Sequence, residues 1–66
     1  MEDRIIAELT RTVDAIRACN KEGDYASGNT LSDYLYHAKE FAERVTGKTV
    51  SITRKGVELI DTKKGA

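Results

Sequence analysis

The spacing of apolar residues changes once along this chain, at Gly47, and this change constrains the fold more than any other feature. Before Gly47, apolar side chains recur every three or four residues, which is the period of an amphipathic α-helix. After Gly47 they alternate with polar side chains, which is the period of a half-buried β-strand. The sequence therefore predicts helices followed by strands, within one small α+β domain.

Two helices are predicted before this change. The first spans Asp3–Glu22 and ends at Gly23, because glycine adopts the left-handed conformation without a steric penalty. Asp24–Asn29 is rich in turn-forming residues and is predicted to be a loop. Thr30 begins a capping-box-like pattern, so a second helix is expected from there to Thr46. A short loop between two amphipathic helices indicates an antiparallel helical hairpin.

Each predicted helix carries one apolar stripe, and a stripe of this kind packs either into the core of its own chain or against a second chain. The eight stripe residues predicted to form the core or a dimer interface are Ile6, Leu9, Val13, Ile16, Leu31, Tyr34, Phe41 and Val45.

The alternating segment after Gly47 predicts a two-stranded antiparallel hairpin. A two-residue turn at Lys55-Gly56 pairs Ile52 with Leu59 and leaves Ile60 facing outward without an apolar neighbour. A three-residue turn would instead place Glu58 on the apolar face, so the two-residue turn is favoured. The predicted architecture is α-α-β-β.

The chain is short, and its length limits the core that it can build. We expect a single domain over residues 1–62 and a short basic tail over 63–66. The one cysteine, Cys19, can form no internal disulfide, which is typical of a cytoplasmic protein. Two single-stripe helices and a two-stranded sheet are marginal alone. We therefore predict a homodimer, which joins either helix faces into a four-helix layer or strand edges into a larger sheet.

Residue types that carry catalysis or bind metals are sparse. Cys19 and His37 could form a nucleophile–base pair, but the helical pattern places them on diverging faces. His37 with Asp33 and Glu40 has a spacing used by metal sites, although this face is predicted to be solvated. No phosphate-binding glycine loop or zinc-ligand spacing is present in the sequence. We predict that the protein is not an enzyme and uses neither a cofactor nor a metal.

Tyrosines outside the core suggest a different function, because such residues are enriched at protein interfaces. Tyr25 falls in the predicted loop and Tyr36 falls off the apolar stripe, although Tyr25 could instead cap the end of the helical hairpin. Together with Ile60 they are the predicted partner-binding residues. The first hypothesis is a non-catalytic protein–protein interaction module that acts as a regulator, adaptor or inhibitor.

The charge distribution supports an alternative hypothesis. The formal net charge is zero, yet the helical part is acidic and the part after Gly47 is basic. A nucleic-acid-binding regulator could contact phosphates through the hairpin tip and tail, using Arg54, Lys55, Lys63 and Lys64. No apolar run is long enough to predict a membrane span, so no membrane partner is expected.

Overall fold

Two helices precede a two-stranded antiparallel sheet, as the change of period at Gly47 predicts. The computed structural model describes residues 1–61, and the predicted basic tail over 63–66 lies outside them. The elements are α1 (Glu2–Lys21), α2 (Tyr25–Thr46), β1 (Lys48–Thr53) and β2 (Gly56–Asp61). The predicted α-α-β-β order is thus confirmed.

Glycines end both helices, which confirms that part of the prediction. Gly47 adopts φ 73° and its N–H donates to the carbonyl oxygen of Glu43 at 2.9 Å, so α2 stops there and β1 begins at the next residue. Gly23, with φ 81°, follows the end of α1 and turns the chain into α2.

The prediction of a loop over Asp24–Asn29 is wrong, because α2 begins at Tyr25 rather than Thr30. Asp24 is the N-cap residue, and its side chain accepts a hydrogen bond from the Ser27 N–H at 3.2 Å. The predicted capping role of Thr30 is wrong for the same reason: its hydroxyl donates to the carbonyl oxygen of Ala26 inside the helix. The connection between the helices is therefore much shorter than the sequence indicates.

Gly28 lies where the first turn of α2 packs against the end of α1. It is buried, and a Cβ at this position would lie 2.7 Å from Asn20 Oδ1 and 3.8 Å from the Cys19 Cβ. The first turn of α2 therefore packs directly against α1, with room for a small side chain only if Asn20 moves.

The hairpin register also differs from the prediction. The turn is Arg54-Lys55 rather than Lys55-Gly56, and Ile52 pairs with Val57 rather than Leu59. Both turn residues have negative φ, and the positive φ of 135° falls on Gly56, the first residue of β2. The Lys55 N–H donates to the Thr53 hydroxyl at 3.1 Å, which fixes the turn one residue earlier than predicted.

The correct faces are nevertheless preserved, because the register differs by two residues and side chains alternate with period two. Val50 and Val57 are both buried beneath the helices, as predicted, and Ile60 is exposed. The sheet covers one side of the helix pair, with β1 in contact with α2 and β2 in contact with α1.

The core lies between the helices and the sheet. Its buried side chains are Leu9, Val13, Ala42, Val50 and Val57, and Ile5, Ile6, Leu35, Ala38, Ile52 and Leu59 pack against them. The α1 stripe is thus positioned as predicted, with Leu9 and Val13 buried and Ile6 and Ile16 half-buried.

The α2 stripe is largely not core. Tyr34, Phe41 and Val45 are exposed, so their assignment to the core of this chain is wrong, whereas Leu31 is half-buried. The buried residue is Ala42, and each residue turns a helix by about 100°, so Phe41 points well away from the sheet. The small Ala42 side chain allows the hairpin to pack close to α2.

Candidate interaction surfaces

All four aromatic side chains of the chain lie on its surface. The exposed fractions are 63% for Tyr25, 58% for Tyr34, 57% for Tyr36 and 64% for Phe41. The core of this domain is therefore built from aliphatic side chains alone. Large rings that remain accessible to this degree, grouped on one helix, are typical of contact surfaces.

The aromatic residues form two groups on opposite flanks of α2. Tyr34 and Phe41 are seven residues apart, which is about two helical turns, so they share one flank. Tyr25 and Tyr36 are eleven residues apart, about three turns, and share the other. We call Tyr25 and Tyr36 the tyrosine flank. The sequence predicts this pair as partner-binding residues, and the structure leaves both accessible.

The flank with Tyr34 and Phe41 borders a groove between the two helices. This groove has a volume of about 260 Å³, and no residue of the sheet lines it. Its lining is mostly apolar and consists of Arg4, Ile5, Glu8, Leu9, Tyr34, Ala38, Phe41 and Ala42. We call this side of the helix pair, together with Leu31 and Val45 from the same stripe of α2, the open helix face.

The open helix face was predicted in part. The pattern identifies Tyr34, Phe41 and Val45 as members of an apolar stripe that forms either the core or a dimer interface, and all three are exposed in this chain. A signal for their exposure was available, because Leu35 and Ala42 widen the apolar arc of the same helix beyond that stripe. An apolar arc this wide has more surface than one small sheet can cover.

Ile60, the third predicted partner-binding residue, lies on the outward face of the sheet. It pairs with Thr49 on β1 and is 46% exposed. An exposed isoleucine in a strand adds apolar contact area to this face, on the layer opposite the open helix face.

The hairpin tip carries the predicted phosphate-binding residues Arg54 and Lys55, and both are exposed. The structure adds a third cation: Arg17 Nη2 donates to the Thr53 carbonyl oxygen at 3.2 Å, which brings a guanidinium from α1 beside the turn. No local pattern could reveal this contact, because the two residues are 36 positions apart. Lys63 and Lys64 lie outside the described residues.

Cys19 and His37 do not form a nucleophile–base pair. Cys19 lies beside Gly28, since a Cβ built there would be 3.8 Å from the Cys19 Cβ. His37 is nine residues further along α2, about 13.5 Å along the helix axis, and its ring contacts Tyr36 at a centroid distance of 5.5 Å. Within residues 1–61, no group of three histidine, cysteine or acidic side chains is arranged to hold a metal ion.

Comparisons with known proteins return no relative: no family model, curated protein or solved structure matches the chain. Among the residues that the structure describes, neither helix combines the length and the apolar character needed to cross a bilayer.

Proposed function

We propose that this protein is a non-catalytic protein–protein interaction module, a regulator, adaptor or inhibitor that acts by binding another macromolecule. The observation that supports this proposal is that every aromatic side chain is more than half exposed. The single cysteine is consistent with a reducing compartment, and we place the protein in the cytoplasm.

The size of the exposed aromatic surface supports the proposal. An aromatic side chain offers roughly 200 Å², so the exposed parts of these four add up to roughly 500 Å². Because the rings lie on opposite flanks of α2, one partner contacts about half of this area, and at about 25 cal/mol per Å² that contact could contribute at most about 6 kcal/mol before ordering costs are subtracted. Among residues 1–61 the core contains five buried side chains, so this binding energy is large relative to the core.

The tyrosine flank is the surface that we assign to the other macromolecule. Tyr25 and Tyr36 combine large rigid rings with polar hydroxyls, which is the chemistry enriched at the energetic centres of interfaces. Tyr36 is additionally held by the edge-to-face contact of its ring with His37, so it loses less side-chain freedom on binding.

Photo-crosslinking tests this assignment without knowledge of the partner. A photoreactive phenylalanine analogue replaces Tyr36 in one variant and the exposed Asp14 of α1, on the other helix, in the matched control. In cells that make the protein, we expect position 36 to capture a different protein on irradiation and position 14 to capture much less. Equal capture at both positions, or only self-crosslinks from position 36, would contradict the proposal.

The contact of Arg17 with the hairpin turn supports a second candidate function, which is binding of nucleic-acid phosphates. Arg17, Arg54 and Lys55 place three cations at one end of the molecule. If they bind a duplex, fluorescence anisotropy at low salt should show binding that weakens steeply as salt rises and that is reduced in Arg54→Ala/Lys55→Ala. Absence of binding at low salt would remove this candidate.

A further inference from the structure

We propose that the open helix face binds a second copy of this chain, with the two α2 helices packed antiparallel across a two-fold axis at Ala38. This inference deepens the proposed function by naming the occupant of one of its two aromatic surfaces. The tyrosine flank then remains accessible on both protomers for the other macromolecule.

The order of side chains along the open helix face favours a second copy as the occupant. Two larger apolar residues stand on either side of a small central one, at spacings of three and four: Leu31, Tyr34, Ala38, Phe41 and Val45. When two such rows run antiparallel, Ala38 meets Ala38 of the other protomer and Tyr34 meets Phe41. A small residue at the centre lets the helix axes approach closely, and the rings on each side fill the space. The row is therefore complementary to itself, as an interface with two-fold symmetry requires.

The exposed area on this face fits the core of a dimer interface. Tyr34 and Phe41 together expose roughly 240 Å². A stable interface buries about 800 Å² on each partner, with its most apolar residues at the centre. Val45, which is 46% exposed, and the α1 side chains Arg4, Ile5 and Glu8 that line the groove add to this area. The charged residues in the groove lining are Arg4 and Glu8. Their charges are opposite, so the charges that two copies bring together are not all of one sign.

The sheet edges are a poorer site for a second copy. On β1, the outward N–H of Val50 already donates to Glu43 Oε2 at 2.9 Å, so this donor is not available for pairing with a second strand. On β2, edge pairing would bring a second chain within about 4.8 Å, whereas packed helices need 8–10 Å between their axes. Since α1 lies against β2, the α1 helices of the two copies would overlap.

Sedimentation velocity of the complete chain over nanomolar to high micromolar concentrations tests the proposal. We expect a reversible monomer–dimer equilibrium, and Phe41→Glu should weaken dimerisation at least about 100-fold. The matched control Tyr36→Glu introduces the same charge at a similarly exposed ring on the opposite flank, and its dimerisation should be unchanged. Circular dichroism verifies that each variant is folded. If Phe41→Glu does not fold, Val45→Glu is used as a second variant of the open helix face.

Disulfide trapping tests the position of the two-fold axis. In a Cys19→Ser background, Ala38→Cys should form a covalent dimer rapidly under a glutathione redox buffer, and Tyr36→Cys should not. A chain that stays monomeric at high micromolar concentration, or a dimer that is trapped at position 36 and not at 38, overturns the inference. Neither result touches the proposed function, which depends on capture of a different protein by the tyrosine flank.

Discussion

Truncation of Leu9 tests the position of the core most sharply. Leu9 is only 2% exposed and packs where the two helices meet the sheet. Leu→Ala at fully buried sites costs about 2.7–5 kcal/mol, from lost transfer free energy and from the cavity that remains. A domain of this length has a total unfolding free energy of roughly 3–10 kcal/mol, at about 0.05–0.15 kcal/mol per residue. Leu9→Ala should therefore remove at least about a quarter of the stability, and should unfold a domain whose stability lies near the lower limit.

Urea denaturation followed by far-UV circular dichroism measures this loss. At about 4–8 °C per kcal/mol for a small domain, the thermal midpoint should also fall by at least about 10 °C. Tyr36→Ala is the control: it deletes more atoms, but from a ring that is mostly in solvent, so the free energy of unfolding should change by less than about 1 kcal/mol. If Tyr36→Ala costs as much as Leu9→Ala, the division into a buried aliphatic core and exposed aromatic residues is wrong.

Three further substitutions test local features, each by urea denaturation. Asp24→Ala removes the N-cap of α2 and should cost about 1 kcal/mol, and an unchanged midpoint would argue for a helix that starts later. Gly28→Ala should raise the free energy of unfolding by up to about 1 kcal/mol, because the exposed Asn20 side chain can rotate away and alanine favours helix. Gly28→Leu should instead destabilise, since the site is buried; a stable leucine variant would contradict the close approach of the helices. Glu43→Ala should cost about 1–3 kcal/mol by leaving the Val50 N–H unpaired, whereas Glu43→Gln keeps an acceptor and should cost less.

The parts of the fold that the sequence predicts correctly are those with one dominant local signal. Leu9 and Val13 lie at the centre of a single narrow stripe, so only one face of α1 can be buried. The change of period at Gly47 marks the boundary between helix and strand without ambiguity. The strand faces are correct although the turn is not, because a register that differs by two residues leaves Val50 and Val57 on the same side.

The errors occur where the sequence offers two comparable choices. Asp24 and Thr30 are both good N-cap residues, and only the packing of Gly28 against α1 favours the earlier one. Around α2, both Phe41 and Ala42 lie in apolar rows, and size alone suggests that the larger side chain is buried. The chain has only one residue between α2 and β1, so the sheet packs against the nearer row of small side chains.

The residues of the candidate surfaces were predictable only where a local sequence signal identifies them. Tyr36 stands out because it falls outside the apolar stripe. Tyr25 stands out because it falls in the segment predicted to be a loop, although the structure places it in the first turn of α2. Exposure of Phe41, by contrast, depends on where the hairpin packs, and the approach of Arg17 to Thr53 depends on tertiary structure alone. A local sequence pattern predicts neither the exposure of Phe41 nor the contact of Arg17 with Thr53.

The central claim about the open helix face is that its exposed rings, Tyr34 and Phe41, contact a second copy of the chain, and it is tested most directly by isotope-filtered NMR. In a mixture of isotope-labelled and unlabelled protein at millimolar concentration, nuclear Overhauser effects are recorded only between protomers. We expect cross-peaks that join the Tyr34 ring of one protomer to the Phe41 ring of the other, and none from Tyr36. Absence of intermolecular cross-peaks to Phe41, or cross-peaks dominated by Tyr36, would contradict the account.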